Sequence, residues 1–170
     1  MSTYESSELN RQIANLVRIG SVAELDEANA RVKLSVSGLT TDWLPWSAAR
    51  AGKTRTWSPP QVGEQVVMLS PFGDMGQAVI VGSLFSDASA APAASKDQET
   101  TVYPDGARID HNSATHATTL KLNAGGTLSV TVGGSSLVMN TDKILMTSNG
   151  STFELTAAGW KLVGPRGDMN

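Results

Sequence analysis

Carboxylate and imidazole come together in one stretch of this chain, YPDGARIDHNSATH, residues 103–116, which holds Asp105, Asp110, His111 and His116. Such groups act as general acids and bases or as metal ligands. Asp105 and Gly106 form a turn signal between two strand-like pieces, however, so the stretch reads as a hairpin and not as a catalytic centre. The two histidines then read as surface or turn residues; in a threefold assembly they can alternatively ring an ion or anion on the axis. A second group is aromatic and cationic: Trp43, Trp46 and Trp57 near Arg31, Lys33, Arg50, Lys53 and Arg55. On a small β-barrel such a set can bind single-stranded nucleic acid or an oligosaccharide. Against this, residues 1–95 carry 7 basic and 9 acidic side chains. Two of the tryptophans also flank a proline in WLPWS, where packing is the simpler duty.

Other chemistry finds little support. There is no cysteine, which excludes disulfides and thiolate sites. No G-x-S-x-G elbow occurs, and the glycine-rich pieces lack P-loop spacing. Glycosidase chemistry needs two convergent carboxylates in a cleft, and nothing in the sequence marks such a pair. The expectation is a protein without catalytic residues, small-molecule substrate or cofactor. The net charge of −3 has no block of like charges behind it, so nucleic acid is not an expected partner. The N-terminal stretch has neither a long apolar core nor a cleavage-like site, so synthesis and folding in the cytoplasm are expected.

The elements that must position these residues follow from periodicity. Leu9, Ile13, Leu16 and Val17 fall at helical spacing, predicting a helix over residues 6–17 that docks on its own domain. Period-two patterns then predict strands near 17–25, 30–37, 41–47, 64–70 and 78–85, a partly open five-stranded barrel of OB type. Residues 86–99, SDASAAPAASKDQE, are poor in bulky side chains and read as a linker. The expected organisation is a helical segment 1–17, a barrel 18–86, a linker 87–99 and a β domain 100–170.

After the linker the helical period disappears. Apolar pairs recur as Leu120/Leu122, Leu128/Val130, Leu137/Met139, Ile144/Met146, Phe153/Leu155 and Trp160/Leu162, their first members 8, 9, 7, 9 and 7 residues apart. A repeat that short holds one strand and one turn. Each strand has one apolar face, and the chain offers no helix or second sheet long enough to cover it. Other copies of the chain are the economical cover: three sheets can turn their apolar faces to a common axis, which also removes free strand edges. The residues expected to face that axis are Leu120, Leu122, Leu128, Val130, Val132, Leu137, Met139, Ile144, Met146, Phe153 and Leu155.

Residues 41–86 resemble the baseplate assembly protein V family of contractile-tailed phages and of phage-tail bacteriocins such as R-type pyocins. The resemblance rests on Trp43-Leu44-Pro45, Arg50-Ala51-Gly52, Trp57, Pro59-Pro60, Val62-Gly63-Glu64, VMLSPFGD and AVIVGSLFS. It implies an all-β fold, an OB-like five-stranded barrel followed by an intertwined triple-stranded β-helix with a short N-terminal helix. It further implies a homotrimeric central spike that meets the tail hub and baseplate proteins, resides in the virion or bacteriocin tail, and pierces the target outer membrane on sheath contraction. The family often ends in a His-x-His tip that holds iron. This chain ends WKLVGPRGDMN without histidine, so iron is not expected here, and GPRGD reads as a turn toward further strands beyond a truncation.

Overall fold

A computed structural model of the chain describes residues 3–165, which form two compact units separating between Ala91 and Pro92. In the first unit, helix α1 (Thr3–Leu16) leads directly into strand β1 (Val17–Asp26). The described helix therefore begins three residues before the predicted start. Its surface is braced by Glu8, which accepts from Arg11 and Gln12 one turn on. The docking differs from expectation. α1 sits on a 3-10 turn, Pro71–Gly73, through backbone: a Cβ on Gly73 would lie 2.5 Å from the Gln12 carbonyl oxygen. Leu9, Ile13 and Leu16, the stripe expected to dock, remain exposed.

Strands β2 (Arg31–Val36), β3 (Leu39–Thr40), β4 (Gln65–Leu69) and β5 (Val79–Leu84) complete a sheet of order β3-β2-β1-β4-β5. Alternation along these strands places Val22, Val32, Leu34, Val36, Val66, Met68 and Ile80 in one buried cluster with Leu44 and Ala78. Two devices curl the sheet. Bulges interrupt the β1–β2 register between Val22 and Glu24 and the β4–β5 register at Val67/Met68, where Val81 of β5 is the extra residue. Gly20 lets β1 fold onto β2, since a Cβ there would meet Val36 at 2.7 Å and the Ser35 carbonyl at 2.9 Å.

The predicted strand at 41–47 is not a strand. Pro45 has no N–H to give a ladder, so the segment pairs only through single bridges. Those bridges nevertheless close the barrel. Leu44 exchanges backbone bonds with Val32 of β2 at 2.8 and 3.0 Å, while Ser47 donates to Ile80 of β5 at 2.8 Å and Ile80 donates to Pro45 at 3.0 Å.

In the second unit, β6 (Gln98–Val102), β7 (Arg108–Asn112) and β8 (Ala117–Lys121) form a three-stranded antiparallel sheet. Pairing thus starts at Gln98, inside the stretch read as linker: Gln98 and Glu99 are polar in type, yet they pair with Asn112 and His111. Strands β9 (Leu128–Val132), β10 (Ser135–Met139), β11 (Lys143–Ser148), β12 (Ser151–Thr156) and β13 (Gly159–Val163) form a five-stranded meander. The repeat does not run unbroken into it. Between β8 and β9 the chain turns through Asn123–Gly126, where Gly126 donates to the Asn123 carbonyl at 2.9 Å, and the two sheets do not pair. The expected GPRGD turn extends into residues 166–170, outside the described residues, as does the very end of the chain.

Candidate functional surface

The register of the meander sorts its side chains into two faces. One face carries two cross-strand rows: Val130–Leu137–Met146–Phe153–Leu162 and Leu128–Met139–Ile144–Leu155–Trp160. Directly opposed apolar side chains of this kind are the stabilising unit of a sheet. The other face is mainly polar, with Ser129, Thr131, Thr147, Thr152, Lys161 and an ion pair of 3.1 Å between Lys143 and Glu154, and it also carries Val138, Leu145 and Val163.

The apolar face has nothing over it within its unit. Val130 is 53% exposed, Val132 77%, Trp160 66% and Leu162 55%. Among the described residues every buried large apolar side chain belongs to the barrel, and the second unit buries only Ala107. A sheet that offers two apolar rows and owns no core is an interaction surface. Of the eleven residues expected at an axis, nine lie on this meander. Eight of these stand in its two rows, with Val132 on the same face one step beyond. Leu120 lies on β8 opposite Ile109, and Leu122 follows the end of that strand. Sequence reasoning left Trp160 and Leu162 out of the expected set, although they were the last pair of the repeat and stand in the same two rows. It also passed over Ile109, whose alternation in ARIDH was the available signal.

The residues with chemical potential are placed elsewhere and for other ends. Asp110 is held by Arg108 through two contacts of 2.6 Å and also accepts from Thr100 at 2.8 Å and Gln98 at 3.3 Å. Those bonds, the Arg108 pair foremost, hold its carboxyl down to about 2. Asp105 accepts from the Ala107 N–H and shapes the hairpin turn around Gly106, as read from the sequence. His111 bonds Thr118 at 2.8 Å from within β7, and His116 occupies the next turn at φ 55°. Among the described residues no three His, Asp or Glu side chains gather where they could hold a metal ion.

In the barrel, Lys33 Nζ lies 4.6 Å from the centre of the Trp43 ring, and Trp46 and Trp57 meet at 5.5 Å with planes tilted by 57°. Leu44 and Pro60 are buried, and Pro45 belongs to the closing segment. Gly63, at φ 89°, donates to the Val22 carbonyl at 2.8 Å. Glu64 accepts from the Gln61 N–H at 2.7 Å and from the Ser83 hydroxyl. Arg50 and Gly52 stand on an exposed arm. Leu44 and Pro45 take part in barrel closure, and Gly63 and Glu64 fix the loop that leads into β4; the motif residues do not converge on a cleft.

A curled five-stranded barrel, closed by a proline-broken bridge segment and followed by uncovered antiparallel sheets, defines the class: an OB domain carrying a β-rich extension. Residues 18–85 match the family described as the type VI secretion system/phage-baseplate injector OB domain. Over 128 residues, 75% of this chain and 60% of the relative, the sequence is 38% identical to the spike protein of Escherichia phage P2. The barrel therefore belongs to the phage baseplate assembly protein V family. The chain spans about 60% of the length of that relative.

Proposed function

We propose that the chain is the structural, non-catalytic central spike of a contractile phage tail or phage-tail-like bacteriocin. It acts as a homotrimer at the baseplate centre, in contact with the tail hub, and pierces the target outer membrane when the sheath contracts. The uncovered apolar rows of β9–β13 carry this reading. Three such faces turned to one axis bury both rows and leave the Lys143–Glu154 face to water. Strands laid across the axis at about 4.8 Å spacing then stack into a stiff rod. The family of the barrel supports the location, because its description is that of a phage-baseplate injector domain.

Light scattering on the purified chain tests the reading. The expected mass is three times 17.8 kDa. A monomer at micromolar concentration overturns it, because no other cover for the rows would then exist.

A further inference from the structure

We propose that the arm formed by residues 48–57 of the barrel is a docking element for an acidic, extended segment of another protein. The arm leaves the barrel after Ser47, and Trp57, where it ends, packs on Trp46, itself seated on the core. Between those points it holds its own shape. Thr56 donates to the Arg50 carbonyl at 3.0 Å, Arg50 donates back to the Thr56 hydroxyl at 3.2 Å, and Gly52 donates to Thr54 at 3.1 Å. Residues 47–58 are nonetheless all exposed, so the arm contributes nothing to the core. A shaped arm loses little freedom on binding.

Its charge selects the partner. Between Asp42 and Glu64 the sequence has no acidic residue, while Arg50, Lys53 and Arg55 stand on the arm. Arg50, Arg55, Trp46, Trp57 and Ala30 line one hollow, and Arg31 follows Ala30 at the start of β2. Among the described residues these four cations make no ion pair. Arg forks take carboxylates in bidentate fashion, which suits glutamate or aspartate side chains.

A second copy of the chain offers no extended acidic segment, since its longest acidic run is Asp26-Glu27. In the first unit Glu8 and Glu24 are paired with Arg11 and Lys33, while among the described residues Glu27, Asp42 and Asp87 are not in an ion pair, and the mass of the arginine variant below tests those scattered carboxylates as the alternative. Single-stranded nucleic acid fits less well, because it needs free aromatic faces in succession. Here Lys33 lies over Trp43, and Trp46 and Trp57 contact each other at a tilt, so no row of parallel free faces is formed.

The test is fluorescence anisotropy of a labelled octaglutamate peptide against the full chain, with octaglutamine and a single-stranded oligothymidylate as the other probes. Saturable octaglutamate binding is expected, weakening with salt and weakened about tenfold in the double variant Arg50→Gln/Arg55→Gln. The variant Lys121→Gln/Lys161→Gln, which neutralises two cations of the second unit, should bind as the wild type does. The proposal is overturned if octaglutamine binds equally, if the lysine variant weakens binding as much, or if oligothymidylate binds more tightly. A changed molecular mass in the arginine variant also overturns it, since the arm would then be a contact between copies. The wild-type mass tests the trimer separately, so either idea can fail alone.

Discussion

Arg108 and Asp110 stand two apart on β7 and face the same way, which is why one guanidinium reaches both carboxylate oxygens. Because the carboxyl is depressed in the folded chain, its stabilising contribution is present above the ordinary range near pH 4 and is lost as pH falls toward about 2. An NMR titration should show the Asp110 midpoint near 2, and Arg108→Gln should move it upward toward the ordinary value while Thr100 and Gln98 keep part of the shift. An unmoved midpoint would mean that Arg108 is not the main cause. Gly73 makes the other prediction at this scale. At φ 70° and pressed against the Gln12 backbone, it tolerates no Cβ, so Gly73→Ala should destabilise the first unit by roughly 1–2 kcal/mol or more. Denaturant melts would register that loss, and amide exchange should locate it in α1. These two roles differ in legibility. Asp105-Gly106 announced its turn in sequence, whereas Gly73 under a helix is a relation between distant residues that no local pattern encodes.

At the scale of elements, strand identity came from period-two alternation, and it served well wherever one face is buried. Strands β1, β2, β4 and β5 lie within a residue or so of their predicted bounds. It failed at 41–47 because alternation reports side-chain faces, whereas Pro45 withholds the backbone donor that a ladder needs. It also failed to see the break after β8, since the repeat spacing passes over Asn123–Gly126 almost unchanged. On the meander, registers place Val130 at the end of a row, on edge strand β9 opposite Leu137. Val130→Asp should abolish association, because three charges in a dry axis cost several kcal/mol per ion. Light scattering on the variant would read this as a fall to the mass of one chain. A variant that kept both its mass and its thermal stability would mean that the row does not face inward.

For the whole molecule the two units pose opposite problems. The barrel has a sealed cluster around Leu34, Leu44 and Met68, while the second unit has paired strands without a core. Dilution should therefore separate them in hydrogen exchange: amides of β1, β2 and β4 stay protected when association is lost, and those of β9–β13 do not. Protection of the meander in an isolated chain would contradict the spike. By itself the sequence determined the strand content, the barrel, the apolar repeat and the family likeness, because each is written in residue type at short, regular spacing. Tertiary structure alone decided how the barrel closes through a broken strand, which face of α1 docks, and that two sheets, not one, follow the barrel. Those outcomes depend on which backbone groups meet across long separations, and hydrogen-bond partners and close approaches of that kind leave no periodic trace in the chain.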